Sequence, residues 1–76
     1  MNKARRKQLA EIAEQMQELR ERIELLQEEE QEGFDNLPES LQQGERGTAM
    51  EQAIEQMDSA MDAVDEALEA LQEAQA

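Results

Sequence analysis

From Leu9 onward the apolar side chains of the first half of the chain recur at Leu9, Ile12, Met16, Leu19, Ile23 and Leu26, in alternating steps of three and four. That spacing keeps one stripe of a helix apolar through successive heptads, with Leu9, Met16 and Ile23 at a positions and Ile12, Leu19 and Leu26 at d positions. The residues between them are mostly Glu, Gln and Arg, which favour helix, and neither Gly nor Pro occurs before Gly33. The pattern predicts a first helix over about 2–32, roughly 46 Å long at 1.5 Å per residue. Gly33 would stop it. The second half repeats the pattern at Ile54, Met57, Met61, Val64, Leu68 and Leu71, with Met50 one step earlier. It predicts a second helix over about 48–75, with Thr48 as its cap and Glu51 three residues on in a capping-box arrangement.

The two stripes match when the chain folds back on itself. Antiparallel pairing sets Leu9 beside Leu71, Ile12 beside Leu68, Met16 beside Val64, Leu19 beside Met61, Ile23 beside Met57 and Leu26 beside Ile54, six layers in one register. The expected fold is all-α: one domain over 1–76, an antiparallel two-helix coiled-coil hairpin with a folded connector. A chain of this length sits near the limit at which a single core stabilises a fold by more than a few kcal/mol, so association is expected to help. The second helix carries Ala53, Ala60, Ala67 and Ala74 at intervals of seven, flanked by Ala63 and Ala70. Its apolar arc is therefore wider than one neighbouring helix covers, and small side chains let another helix come close. Ala53, Ala60, Ala67 and Ala74 form the expected oligomer interface, giving a four-helix-bundle dimer or a higher homo-oligomer.

Between the helices, residues 33–47 read GFDNLPESLQQGERG. Asp35 or Asn36 can cap a short turn, Pro38 suits its first position, Glu39 through Gln42 complete it and Gly44 ends it. Phe34, Leu37 and Leu41 supply apolar surface with which the connector can fold as a lid over the next layer, Glu30 against Met50. Long connectors are also often functional. Asn36, Ser40, Gln42, Arg46 and Thr48 gather polar groups near a helix N-terminus, a setting that can hold an anion. They are the candidate ligand-binding residues, and Arg46 is the only base after residue 23.

Composition narrows the chemistry. The chain has no Cys and no His, which removes a thiol nucleophile, thiolate metal ligation, the usual general base and the Glu-x-x-His pairs of dimetal bundles. Carboxylates on exposed helix faces lack the burial or close like charge that would tune them for acid/base work. The chain is expected not to be an enzyme, with no catalytic residues, no metal site and no cofactor. No apolar run exceeds two residues, so neither a membrane span nor a secretory core is expected, and a cytoplasmic location is. Net charge is −13, with Lys3, Arg5, Arg6 and Lys7 unaccompanied by acid in the first ten residues. Direct nucleic-acid binding is disfavoured. The basic segment is expected to lie beside Asp65, Glu66, Glu69 and Glu73.

The order of an acidic helix, FDNLPESLQ, GERG and an Ala-rich acidic helix resembles a group of short uncharacterised helical-hairpin proteins encoded by phages and prophages of Gram-positive bacteria. The resemblance covers nearly the whole chain and is most specific in NLPESLQ and ERG. It implies a viral accessory protein acting inside the bacterial host cell, and it carries over no catalytic residue. By analogy with small phage proteins, it implies a counter-defence role in which a host component is bound and blocked. Two mechanisms compete within that expectation: acidic mimicry of nucleic acid, and an oligomeric pocket that sequesters a small anionic nucleotide messenger. A structural or virion-assembly part is the remaining alternative.

Overall fold

Asn2 starts the first helix by accepting the Arg5 N–H on Oδ1 at 2.8 Å, which satisfies one of the free donors of the opening turn. The computed structural model describes all 76 residues, and in it this helix, α1, runs Lys3–Asp35. The chain is all-α: a four-residue helix, α2, follows at Glu39–Gln42, and α3 covers Glu45–Ala74. No residue is in a strand. The Cα trace extends 58 × 15 × 12 Å with a radius of gyration of 17.3 Å, against about 11 Å for a compact chain of this length. The shape is a rod of two long helices lying side by side.

They are antiparallel. Gln27 Nε2 donates to the Ile54 carbonyl at 3.1 Å and to Asp58 Oδ1 at 2.6 Å. Seven residues earlier on α1, Arg20 meets Asp65, seven residues later on α3. On α3 the predicted stripe holds: Met61 is buried at 5% exposure, and Ile54, Met57, Val64, Leu68 and Leu71 are half-buried.

On α1 the expected seam and its register are corrected: the contacts of Arg20 with Asp65, Gln27 with Asp58 and Gly33 with Met50 set the helices about one turn away from the six expected pairs. Leu9, Met16 and Ile23 do face α3, but Ile12, Leu19 and Leu26 are 45%, 52% and 58% exposed. Their places in the seam belong to Ala13, Arg20 and Gln27, all half-buried. The helix is thus turned by about 50° from the orientation that would aim both a and d residues at its neighbour. The turn lets Arg20 and Gln27 reach their partners on α3. It also leaves three large aliphatic side chains at the edge of the contact.

The connector is shorter than 33–47, running from Asn36 to Gly44. Gly33 does not stop α1. The N–H of Asn36 still donates to Glu32 O at 3.0 Å, and the helix ends where Pro38 disfavours helical backbone at Leu37. A Cβ at position 33 would lie 3.2 Å from Met50 Cε, so Gly33 is a point of close approach between the long helices. Thr48 is not the cap of α3. Gly44 is, with φ −90° and ψ −171°, and Thr48 lies inside the helix with its hydroxyl donating back to Gly44 O at 3.1 Å. The expected turn at Glu39–Gln42 forms as α2. Phe34, now the penultimate residue of α1, and Leu37 are half-buried, whereas Leu41 is exposed.

Candidate interaction faces

The hairpin has two unlike long faces, and the register of its helices decides which residues share each. On α1 the seam is edged on one side by Arg20 and Gln27. Their partners Asp65 and Asp58 mark the same side of α3. The opposite edge of α1 carries Ile12, Leu19 and Leu26, and helical spacing puts Ala53, Ala60, Ala67 and Ala74 on the matching edge of α3. These two columns flank Leu9, Met16, Ile23, Met57, Val64 and Leu71, which are only half covered within the hairpin. One face of the rod is apolar along most of its length. Ala53 and Ala67 are half-buried there and Ala60 and Ala74 exposed.

The other face is polar and acidic. Arg20 forms its centrepiece: Nε and Nη2 donate to the two carboxylate oxygens of Asp65 at 2.6 and 3.1 Å, and Nη1 donates to Glu24 at 3.1 Å. The hydrogen bond to Asp65 is the main cause that holds this guanidinium above the ordinary arginine value, partial desolvation opposing it. These are the only ion pairs in the structure. Lys3, Arg5, Arg6 and Lys7 do not pair with Asp65, Glu66, Glu69 or Glu73 as expected, because in this register the start of α1 projects past the last turns of α3. Toward the connector, a shallow depression of about 490 Å³ is lined by Gln27, Glu28, Gln31, Glu32, Asp35, Asp58 and one hydrophobic residue, Ile54. No three acids converge closely enough to hold a metal ion.

The polar connector residues do not meet in a common recess. Asn36 caps the C-terminus of α1, and Ser40 lies exposed on α2. Gln42 is half-buried and donates from Nε2 to Phe34 O at 3.0 Å, tying α2 to the end of α1. Arg46 is exposed in the first turn of α3 and makes no ion pair. None of these, nor Thr48, lines any depression in the single chain. What the sequence pattern missed is the Arg20–Asp65 clasp. A base one position past a d residue, facing an acidic helix, was the available signal. The chain matches no family model, no curated protein and no solved structure.

Proposed function

We propose that this chain is a non-enzymatic accessory binding protein of the phage type, which assembles through its apolar face and uses its acidic face to block a basic surface on a host component. The observation that carries this reading is the division of the rod. A single buried hydrophobic side chain, Met61, is a thin core for 76 residues, while a continuous apolar face stands open beside it. The remaining surface is dominated by carboxylates, a field that attracts basic partners and repels anions. Acidic mimicry therefore has more support than a pocket for an anionic messenger. The candidate pocket residues are dispersed in the single chain, and the depression beside the connector presents Glu28, Glu32, Asp35 and Asp58.

The two mechanisms separate in one experiment. Protein immobilised on a resin is exposed to host lysate and eluted in steps from about 0.05 to 0.5 M salt, over which charge screening shortens severalfold in range. The same is done with a variant in which Glu28, Glu32 and Asp58 become Gln, Gln and Asn, and with Arg46→Ala. Blocking by acidic contact predicts a basic protein released by salt, lost from the neutralised variant and retained by Arg46→Ala. A ligand or partner indifferent to salt and lost from Arg46→Ala alone would instead favour the pocket.

A further inference from the structure

We propose that the occupant of the apolar face is a second copy of this chain laid antiparallel to the first, with the connectors at opposite ends and α1 crossing α1 at Leu19; the inference rests on the reading of that face as an interface. In a four-helix bundle an a/d stripe aims at the bundle centre, about 45° away from the direction of either neighbouring helix. That is close to the turn by which Ile12, Leu19 and Leu26 miss α3. Their exposure is the orientation they need when two more helices complete the square.

Symmetry selects the axis. A two-fold interface is isologous, so the residues on it must be arranged evenly about one level. Ile12 and Leu26 lie seven residues to either side of Leu19. The Arg20–Asp65 clasp places Leu19 level with the stretch of α3 between Ala60 and Ala67, which is also the midpoint of the column from Ala53 to Ala74. One axis perpendicular to the rod therefore serves both columns, stacking Leu on Leu across α1 and Ala on Ala across α3.

Charge selects the same arrangement. Residues 28–58 carry ten acids and one base, and residues 1–10 carry four bases and no acid. Connectors at the same end would crowd both acidic segments together, whereas connectors at opposite ends set each against the basic start of the partner. Arg5 continues the column of Ile12, Leu19 and Leu26 by one heptad and has no ion-pair partner in its own chain. The antiparallel crossing brings it level with Gly33 of the partner subunit, one helical turn from Glu29 of the partner subunit at the rim of the interface. A face of the dimensions of this rod, 58 by 15 Å at the Cα atoms, is comparable to the roughly 800 Å² per partner of standard specific interfaces.

The chain contains no cysteine, so a single introduced thiol reports geometry cleanly. Leu19→Cys, oxidised at concentrations where sedimentation shows a dimer, is expected to give a covalent dimer in near-quantitative yield. Ile12→Cys and Leu26→Cys should cross-link to each other when mixed and hardly at all alone. Independently of any core perturbation, Arg5→Glu should weaken the dimer by roughly tenfold, and adding Glu29→Arg should restore most of that loss. A dimer whose Leu19→Cys thiols stay free while Leu19→Cys joins Ala60→Cys or Ala67→Cys of another copy would overturn the antiparallel crossing and leave the interface reading standing. A wild-type chain that sediments as a monomer at all accessible concentrations would overturn both.

Discussion

Two glycines with opposite roles show how much a single position depends on what approaches it. Gly47 is buried in the first turn of α3, and a Cβ there would overlap the carbonyl oxygen, carbonyl carbon and Cα of Gln42. Those are backbone atoms at the end of α2, which cannot move without withdrawing the short helix. Gly47→Ala is expected to cost about 1–3 kcal/mol as an overpacking substitution, read as a lower urea midpoint together with loss of protection at the Gln42 and Gln43 amides. At Gly33 the nearest atom is the methyl end of Met50, which can shift by the few tenths of an ångström required. Since Gly33 lies within α1, Gly33→Ala should stabilise by about 0.5–1 kcal/mol through the backbone entropy and propensity that Gly lacks in a helix. The same replacement is thus expected to change sign over fourteen residues of sequence.

At the scale of the element, the rotation of α1 separates two kinds of apolar residue that look alike in the pattern. Met61 is enclosed within the hairpin, so Met61→Ala should cost roughly 2–5 kcal/mol at any protein concentration. Leu19 is half exposed, so Leu19→Gln should barely change the stability of a dilute, dissociated chain. It should sharply reduce stability where the chain is associated. Thermal unfolding of both variants over a range of concentrations distinguishes them: Met61→Ala lowers every curve equally, and Leu19→Gln lowers only the concentrated ones. The Arg20 clasp adds direction to this packing, since its two bonds to Asp65 fix which edge of α1 turns toward α3. Arg20→Ala should release that preference and make the seam less uniquely packed, seen as broadened methyl resonances of Met16 and Met57.

For the whole molecule the deciding balance is between a thin core and a long open face. If folding is coupled to pairing, mass action stabilises the folded dimer by about 1.4 kcal/mol for each tenfold rise in concentration, so the melting temperature should climb steadily across a dilution series. A hairpin that folds alone would melt at one temperature throughout. Net charge of −13 works against association and for contact with basic surfaces. The arrangement of that charge, basic at the start of α1 and acidic from residue 28 to the connector, turns part of the repulsion into a preference for one relative orientation.

Heptad spacing, helix-forming residues and matched stripe lengths determined from sequence alone that the chain makes two long helices folded back antiparallel, because those properties depend only on periodicity along the backbone. The stripe on α3 was legible for the same reason, and so was α2, through Pro38 and Gly44. Tertiary structure alone decided how far α1 turns about its axis. That angle reflects the reach of Arg20 and Gln27 to particular atoms on α3, which a pattern of apolar positions does not contain. It likewise decided that Gly33 stays helical beside Met50, that Gly44 rather than Thr48 caps α3, and that Gly47 makes room for the end of α2. Local propensity treats every glycine alike, whereas a neighbouring helix distinguishes them by the room it leaves.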